Sequence, residues 1–490
     1  MLSPFTVASI GILFLAVAFS GVRYFIFPRG PKLPFPIVAV EDGGMDYRTA
    51  VEHGYATYPD QPFLLQSKTK SLVLLPPKYF HEIRSIPESQ WSARLSARNL
   101  FQSRHTRIGD NSHRVVQTVK TDLTRHIGKT LDALQDEMEF AAGQNIGTCD
   151  DWTPILPYPA LLRIVSLISG RVLVGLPFSR TEQWTQISIN FTMLCFGAAQ
   201  KYMSYPAYMR PFVVPFLDVT RSIHKQRAVA TQLLAPVIEE YKRKASKPGY
   251  EEPSNMIEWA LESAKDDDDR VGSAEEQADV QLTLSMAAIH TTSTTVLYCL
   301  YDLCSHPEYV EPLRQELESV LAETDGRLVK RNMAKLRKLD SFIKESQRLS
   351  PPGLVAMQRI TVSDITLSDG SVLPKGAAVA VPSWSVTRDE KLWTNPTTFD
   401  GFRFEKLREE PGAEHKYQFA TTGPDSLSFG YGPQACPGRF FASNEIKVLL
   451  AHILLNYDCK LEGGKRPDNI TRDLTILPNM GVKILFKKRG

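Results

Sequence analysis

The sequence predicts a mainly α-helical chain with a small β region, an α+β fold class. The pattern Ser273-Ala274-Glu275-Glu276 is a capping box, and helix-spaced apolar residues follow it to about Leu303, which predicts one long central helix. The spacing of apolar residues from 110 to 134 predicts a second helix. Short alternating runs between 361 and 381 indicate strands, as does the apolar run 71–76. Helices therefore dominate, and the predicted strands are short.

Composition argues against several classes of function. With 490 residues, of which 43% are hydrophobic, the chain is long enough to bury a large core. The formal net charge is only +3, so nothing favours nucleic-acid binding. The six cysteines are widely spaced and form no C-x-x-C pair, which argues against a zinc site and favours a reducing compartment.

The N-terminal residues have the pattern of a membrane anchor. Residues 1–22 carry no charged side chain, and as a helix they would span roughly 30 Å, the thickness of a bilayer core. Arg23, Arg29 and Lys32 follow, so the positive-inside rule places the rest of the chain in the cytosol. A cleaved signal peptide, the alternative, would begin with a basic region and end at a small-residue site, and neither is evident. Residues 28–36 contain four prolines and predict a stiff hinge. The predicted organisation is an anchor at 1–27, a hinge at 28–36 and a single domain at 37–490.

The run from Phe429 to Phe440 places Cys436 in a glycine-rich loop that leads into an apolar, helix-forming segment. Glycine has no Cβ and tolerates positive φ, so Gly430, Gly432 and Gly438 let the backbone approach a flat object closely. A thiolate near amide N–H groups and the start of a helix is stabilised as an anion, so Cys436 can serve as a strong metal ligand. A plain buried structural cysteine is the alternative interpretation.

The pattern F-x-x-G-x-x-x-C-x-G in this loop resembles the haem-binding signature of the cytochrome P-450 monooxygenases. The resemblance implies haem b as cofactor with Cys436 as the axial iron ligand, and a sulfur ligand of this kind favours O–O cleavage. It also implies the cytochrome P-450 fold, with the long central helix over the haem and an N-terminal transmembrane helix before the catalytic domain. Phe429, Gly430, Gly432 and Gly438 are then expected at the haem.

Two further residues are implied at the edge of the haem. Arg359 stands where the family commonly has an arginine that pairs with a haem propionate. Gln434 stands two residues before the cysteine, where a basic residue or histidine usually does likewise. An amide can donate a hydrogen bond but carries no charge, so we expect weaker propionate binding on that side. The family's W-x-x-x-R motif is also absent, and His113 and Gln117 stand in its place.

Three charged residues resemble a structural triad of the family. Glu345-Ser346-Gln347-Arg348 matches its E-x-x-R motif, and positions i and i+3 of a helix share a face. Phe402-Arg403-Phe404 resembles the segment whose arginine completes the triad. By this resemblance Glu345, Arg348 and Arg403 fix the haem-side core and do not contact substrate. An isolated E-x-x-R is common on surface helices, so its weight comes from the order of the motifs.

The run Ala287-Ala288-Ile289-His290-Thr291-Thr292 resembles the family's central-helix motif of small residues, an acid and a threonine. Small side chains leave space for dioxygen. Thr291 takes by position the role of the threonine that orients bound oxygen and assists proton delivery. His290 departs from the usual aspartate or glutamate. Histidine can relay a proton near neutral pH, which makes His290 a candidate catalytic residue, and a packed core histidine is equally open.

Together the motifs predict a membrane-anchored haem-thiolate monooxygenase, an oxidoreductase that uses O2 to hydroxylate or further oxidise an apolar small molecule. The A-x-x-H-T-T motif resembles fungal microsomal members, which implies a terpenoid or mixed-origin secondary metabolite as substrate. The chain has no G-x-G-x-x-G dinucleotide fingerprint, so electrons must come from a separate protein. The expected partners are NADPH-cytochrome P-450 reductase, cytochrome b5 as a second electron donor, the substrate and membrane lipid. The expected location is the endoplasmic reticulum membrane, crossed once, with the catalytic domain in the cytosol.

Two rival functions stay open. One keeps the haem and the fold but performs an isomerase or dehydratase reaction without net O2 use, which the departure at His290 allows. The other is a non-catalytic haem-binding protein, against which Thr291 in its expected place argues.

Other residues are assigned by their place around these motifs. Arg439 and Lys447, close to the cysteine, are candidates for docking the reductase. The segment 473–486 indicates a hairpin whose tip lies at 478–481. The substrate pocket is expected to be lined by this tip, residues 354–357 and Met286.

Overall fold

The computed structural model describes residues 33–40, 46–67, 70–109, 112–250, 253–263 and 272–490, without the side chains of 112–114 and 263. The predicted anchor at 1–27 and the predicted hinge up to residue 32 lie outside the described residues. Within the described ranges, no helix combines the length and the apolar character that crossing a membrane requires.

Helices make up most of the described chain. Several short 3-10 helices connect the longer elements. The α-helices are Tyr47–Thr57, Phe80–Ile83, Ala93–Leu100, Ser103–Thr106, Ser112–Thr118, Ile127–Asn145, Pro157–Leu173, Glu182–Met203, Arg210–Val213, Asp218–Ala245, Met256–Ser263, Ala274–Ser305, Val310–Ala322, Arg337–Leu349, Ser383–Val386, Arg403–Leu407 and Arg439–Asn456.

The strands are short and form one larger sheet and three small ones. They are β1 Ile37–Ala39, β2 Phe63–Gln66, β3 Ser71–Leu74, β4 Trp91–Ser92, β5 Thr153–Ile155, β6 Ala356–Thr361, β7 Ile365–Thr366, β8 Val372–Leu373, β9 Ala378–Val381, β10 Tyr457–Leu461, β11 Ile470–Arg472, β12 Thr475–Leu477 and β13 Ile484–Lys488.

The main sheet has six strands in the order β1-β2-β3-β9-β6-β4. The pairs β1/β2 and β3/β9 are parallel, and the other pairs are antiparallel. The smaller sheets are β10-β13-β5, β11-β12 and β7-β8. The predicted strands in 71–76 and in 361–381 are therefore confirmed.

The predicted central helix is confirmed and runs over Ala274–Ser305. Ser273 is its N-cap, and the Ser273 side-chain oxygen accepts the backbone N–H of Glu276 at 3.2 Å, as the capping box predicts. At 1.5 Å per residue the helix is about 48 Å long. Helices from both halves of the chain pack around it, including Pro157–Leu173 and Arg439–Asn456. The central helix therefore forms the axis of the core.

The predicted helix between 110 and 134 is present in the described residues, but it is not one uniform α-helix. An α-helix over Ser112–Thr118 passes into a π-helical turn at Val119–Leu123, and a new α-helix starts at Ile127. The spacing of apolar residues does not reveal the extra residue of a π turn. The helices before and after the turn each keep their own apolar face, and only the angle between the two faces changes. The π turn lies against the glycine-rich loop, where a Cβ at Gly438 would stand 3.9 Å from the Val119 side chain.

The prediction of a hairpin around 478–481 is wrong. The hairpin is β11-β12, and its turn lies at Asp473, whose φ of 52° is one that aspartate tolerates better than most residues. The strand that follows, β13, pairs instead with β10 and β5. Residues 478–481 form a loop that the central helix holds, because the Tyr301 hydroxyl donates to the backbone oxygen of Asn479 at 2.7 Å.

The core is mostly helical. Its largest cluster of buried apolar residues comes from the central helix and the helices around it, and two smaller clusters lie about the main sheet. The predicted fold class, mainly α with a small β region, is therefore confirmed.

Candidate active site

The segment 429–438, the cysteine loop, is a tight turn closed by its own backbone. The amide of Cys436 donates to the oxygen of Phe429 at 2.7 Å, and the amide of Ala435 donates to the oxygen of Gly432 at 3.0 Å. Gly430 and Gly432 take φ values of 75° and 85°, which side-chain-bearing residues rarely adopt. The helix Arg439–Asn456, the cysteine helix, begins three residues after Cys436.

The thiol of Cys436 is accessible although protein surrounds it closely, and amide groups point at it. Cys436 is exposed, whereas Cys149, Cys195 and Cys299 are buried, and all six cysteines are free. The surrounding protein still removes enough water to raise the pKa of the Cys436 thiol, and the backbone N–H groups of Gly438 and Arg439 oppose that rise. This is the arrangement of a metal ligand, because amide groups at a helix start favour the thiolate.

Gly432 is the loop glycine with the least room for a side chain. A Cβ built there would lie 2.9 Å from the backbone oxygen of Arg84, at a φ of 85°. A side chain would therefore push the loop away from the neighbouring segment, and its strain would pass to the residues just before Cys436.

Arg359 and Gln434 lie side by side at the loop. Arg359 is buried on β6, and its Nε donates to Oε1 of Gln434 at 2.6 Å. Burial lowers the pKa of Arg359 to about 10, so the guanidinium remains charged at neutral pH. The structure thus brings together the two residues that the sequence places at the haem edge. Gln117 is exposed, and the side chain of His113 lies outside the described residues.

Glu345 binds both arginines of the sequence-derived triad. Its side chain is fully buried; Arg348 donates to it through Nε and Nη2, both at 2.8 Å, and the Nε of Arg403 lies 3.2 Å from each carboxylate oxygen. The arginines also donate to backbone oxygens, Arg348 to Thr387 and Arg403 to Thr394, each at 2.6 Å. The triad therefore ties the helix Arg337–Leu349 to the chain around residues 387–403.

A second buried ionic cluster lies between this helix and the cysteine helix. Lys447 binds Asp340, and both side chains are buried. Lys344 is also buried and donates to the backbone oxygens of Gln418 and Thr421 at 2.9 and 3.2 Å. The expectation that Lys447 helps to dock a redox partner is therefore wrong, because its charge is used inside the protein. Arg439 remains partly exposed.

Thr291 and Ala287 form an accessible strip in the middle of the central helix. Both residues are exposed, although their neighbours Ile289, Thr292 and Ser293 are buried. Positions i and i+4 lie on one face of a helix, so the strip is one helical turn long. The Thr291 hydroxyl donates to the backbone oxygen of Ala287 at 2.6 Å, which leaves its lone pairs available to accept a hydrogen bond.

His290 points away from this strip and is held on both sides. Its Nε2 lies 2.9 Å from the backbone oxygen of Ile189, and its Nδ1 lies 3.1 Å from the Tyr158 hydroxyl. This pattern assigns the proton to Nε2 and makes Nδ1 the acceptor, and burial lowers the pKa of His290, so the ring is neutral at pH 7. These contacts favour the packed-histidine interpretation over a proton relay.

Glu445 is a residue that sequence reasoning missed. It is fully buried in the cysteine helix, and its two carboxyl oxygens accept hydrogen bonds from Ser169 and from Thr292, the latter at 3.0 Å. Burial raises the pKa of Glu445 to about 7. The sequence gives no clear signal for this role, because Glu445 stands among the polar residues Ser443, Asn444 and Lys447.

The residues present fit a haem group bound through sulfur. The donor set is an accessible thiol with amide groups directed at it, a glycine cradle that a Cβ would fill, and a charged arginine at the edge. Within the described residues, no group of three or more His, Cys, Asp and Glu side chains could enclose a metal ion. Fold and site together define a haem-thiolate protein.

The comparisons place this class in a family. The family model described as Cytochrome P450 matches residues 105–486, so the chain belongs to the cytochrome P450 family. The cytochrome P450 monooxygenase ORF5 of Penicillium roqueforti is 40% identical over 476 residues, which cover 95% of this chain and 87% of that protein. The cytochrome P450 monooxygenase ascG of Acremonium egyptiacum is 38% identical over 512 residues, which cover 98% and 95%.

Solved structures share the fold. A retinoic acid-bound cyanobacterial CYP120A1 matches with a TM-score of 0.68 at 18% identity and covers 94% of this chain and 100% of that one. A zebra fish cytochrome P450 with progesterone matches with a TM-score of 0.67 at 17% identity and covers 91% and 100%. The chain is thus an oxygen-incorporating oxidoreductase with the cytochrome P-450 fold. The family implies haem with an axial cysteine, a small substrate and a redox partner.

Replacing Glu345 with Gln should destabilise the protein strongly. The change removes the negative charge that neutralises the buried Arg348 and the partly buried Arg403, and breaking a buried ion pair typically costs about 3–5 kcal/mol. The measurement is the free energy of unfolding in urea of the haem-loaded protein. The matched control is Glu323→Gln, which breaks the exposed pair with Lys335 and should cost at most about 1 kcal/mol. Equal losses in the two variants would contradict the role given to Glu345.

Replacing Gly432 with Ala should impair haem retention. The variant combines a left-handed φ with a Cβ 2.9 Å from a backbone oxygen, a strain of about 1–3 kcal/mol at the loop. The ratio of haem absorbance to protein absorbance after gel filtration is the readout. Gly463→Ala is the control, because a Cβ there meets nothing within 4 Å. If Gly432→Ala retains haem as well as Gly463→Ala, the cradle does not depend on a glycine at 432.

Proposed function

We propose that this protein is a membrane-anchored haem-thiolate monooxygenase that hydroxylates or further oxidises an apolar secondary metabolite. The observation that carries the proposal is the exposed thiol of Cys436, held by a closed glycine-rich loop with amide groups directed at the sulfur. A thiolate-ligated haem supplies the chemistry of dioxygen activation when it is bound there. The protein's own residues then bind, orient and protect that group.

Each site residue has a distinct task in this proposal. Cys436 would ligate the haem iron, and Phe429 and the loop glycines would form the surface against which the haem packs. Arg359 holds a propionate by charge, and Gln434 orients the Arg359 guanidinium through the 2.6 Å hydrogen bond. The Thr291 hydroxyl lies on the accessible strip, and because its proton is donated to the backbone oxygen of Ala287, it can accept a hydrogen bond there. Glu345, Arg348 and Arg403 act on the fold and not on substrate.

Electrons would come from a separate protein. NADPH-cytochrome P-450 reductase is the proposed donor, with cytochrome b5 as a second one. Arg439 and Lys120 are the proposed contacts: Arg439 is partly exposed at the start of the cysteine helix, and the exposed Lys120 has its Nζ 3.4 Å from the backbone oxygen of Pro433. Both charges lie beside the loop that holds the cysteine, and complementary charge favours rapid docking.

The proposed substrate is a terpenoid or mixed-origin natural product. Support comes from the A-x-x-H-T-T motif, from the apolar side chains at 354–357 and Met286, and from relatives that are fungal monooxygenases. Ala356 and Met286 are partly buried and keep some accessible apolar surface, which fits an apolar lining, whereas Leu354 is fully buried and presents no surface to a pocket.

A P-450-fold isomerase or dehydratase without net O2 use is the second candidate. The observation that favours it is His290, which replaces the usual acid and has both ring nitrogens engaged by Ile189 and Tyr158. A protein without an acid at this position could use the haem without the usual proton delivery. Product formed with isotopically labelled dioxygen separates the two candidates, since the isomerase or dehydratase product would carry no label.

The carbon monoxide spectrum of the dithionite-reduced protein tests the thiolate ligand. Wild type should give the strongly red-shifted Soret band of thiolate-ligated haem, because sulfur donates electron density to the iron. Cys436→Ala should lose this band completely, and Cys304→Ala, which removes a thiol far from the loop in sequence, should keep it. A band typical of histidine-ligated haem in wild type would overturn the proposal.

Membrane attachment and orientation are tested in microsomes. The full chain should stay in the pellet after a carbonate wash, and a variant lacking residues 1–27 should be released, because the predicted anchor supplies the apolar span. The sequon at Asn190 lies on an exposed position and should carry no glycan if the catalytic domain faces the cytosol. An endoglycosidase-sensitive mass shift abolished by Asn190→Gln would place the domain in the lumen and overturn the orientation.

A further inference from the structure

Tyr431 stands between the two glycines of the cysteine loop that take left-handed φ values. Gly430 has a φ of 75° and Gly432 a φ of 85°, so the backbone turns sharply on both sides of the tyrosine. The tyrosine is buried, with 7% of its surface exposed, and its hydroxyl is held by residues of the segment 80–84. A part of the chain that is distant in sequence therefore holds the turn that leads to the cysteine.

Two basic side chains of this segment meet the Tyr431 hydroxyl. The Nη1 of Arg84 donates to the Oη of Tyr431 at 2.5 Å. The Nδ1 of His81 lies 3.3 Å from the same oxygen, and the two rings meet edge to face with their centroids 6.0 Å apart. Because a guanidinium can only donate, the hydroxyl accepts from Arg84, and its own proton is available to the Nδ1 of His81. The phenol is therefore held from two directions.

The backbone of the loop also contacts this segment. A Cβ on Gly432 would lie 2.9 Å from the backbone oxygen of Arg84 and 3.1 Å from the Arg84 Cβ, so the two backbones lie close together. Phe80 and Ile83 are buried and belong to the same apolar cluster as Tyr431. Arg84 thus contacts two consecutive loop residues from a segment that the core holds in place.

The turn at Tyr431 is connected stiffly to Cys436. The amide of Cys436 donates to the oxygen of Phe429 at 2.7 Å, and the amide of Ala435 donates to the oxygen of Gly432 at 3.0 Å. Tyr431 lies inside the ring that the first hydrogen bond closes, and the second ring begins at the next residue. A displacement of Tyr431 therefore also displaces the residue that carries the thiol.

We propose that Arg84 and Tyr431 are positioning residues for Cys436. Their charge-assisted hydrogen bond fixes the turn between Gly430 and Gly432, and so sets the direction from which the thiolate reaches the haem iron. The inference rests on the proposed function, because it takes Cys436 as the axial ligand. Without this hydrogen bond the ring stays packed, but the turn is free to shift, and the bond between iron and sulfur is lost more readily. Neither residue needs to contact the haem or the substrate for this effect.

The persistence of the red-shifted Soret band tests the proposal. The haem-loaded protein is reduced with dithionite under carbon monoxide, and the decay of the band is followed in urea below the unfolding transition. Tyr431→Phe removes only the hydroxyl, and Arg84→Met removes the guanidinium at similar length. Each variant should lose the band about five to ten times faster than wild type, the effect of removing one hydrogen bond to a charged group. The double variant should be no faster than the faster single variant, because both changes remove the same interaction.

Three controls separate positioning from general damage. The far-ultraviolet circular dichroism of Tyr431→Phe and Arg84→Met should stay at the wild-type value while the band decays, because the fold is intact. Arg84→Lys keeps a charged donor without the guanidinium geometry and should decay at an intermediate rate. Tyr79→Phe removes a comparable hydroxyl just before the segment 80–84, and it should decay at the wild-type rate. The Tyr79 hydroxyl donates to the Oδ2 of Asp369 at 2.5 Å and not to the cysteine loop.

Distinct results contradict the inference and the proposed function. Wild-type decay rates in both Tyr431→Phe and Arg84→Met, with the red-shifted band present, would overturn this inference alone. Equally fast decay in Tyr79→Phe, or a loss of the band that keeps pace with a loss of circular dichroism, would overturn it as well. If Tyr431→Phe does not fold, Arg84→Met breaks the same hydrogen bond at an exposed residue and decides the matter. A wild type that never shows the red-shifted band would overturn the proposed function and the inference with it.

Discussion

The arrangement around the cysteine depends on one buried carboxylate, Glu345. A fully buried anion is stable only if its lone pairs are met by cations and hydrogen-bond donors, and here two arginines and the backbone N–H of Asp400 meet them. Arg348 and Arg403 in turn hold the irregular segment before the cysteine loop, because their remaining N–H groups donate to its backbone oxygens. Irregular backbone lacks the repeating hydrogen bonds of a helix or a sheet, so side chains must supply partners for its polar groups and hold it in place.

Much of this organisation could be predicted from the sequence, because it depends on local patterns. The capping box at Ser273, the acid and arginine three residues apart and the glycines around Cys436 each encode geometry within a few residues. Tertiary contacts were not predictable in the same way. No local pattern indicates that Lys447 binds Asp340 inside the protein. Likewise, no local pattern indicates that the hairpin turn falls at Asp473, or that the Tyr301 hydroxyl binds the loop 478–481. Such outcomes depend on which distant partner supplies the better contact.

The site residues show the same division. The chain positions of Cys436 and Thr291 follow from motif order, and their exposure within buried surroundings could only come from the fold. For His290 the motif left two interpretations open, and the partners that favour one of them, Tyr158 and Ile189, come from two other helices. On the central helix, the neutral ring of His290 stands where an acid was expected. The buried acid near this turn is Glu445 of the cysteine helix, which accepts a hydrogen bond from Thr292, two residues after His290.

The π turn at Val119–Leu123 constrains the chain in another way. A π turn holds one more residue than an α turn, so the segments before and after it are rotated by about 100° relative to a continuous helix. Val119 and Lys120 both face the cysteine loop from this turn. Deleting a single residue here would restore a continuous α-helix and would rotate one of the flanking segments away from the cysteine loop. The number of residues in this stretch therefore matters as well as their identity, and deletions should be tolerated less well than substitutions.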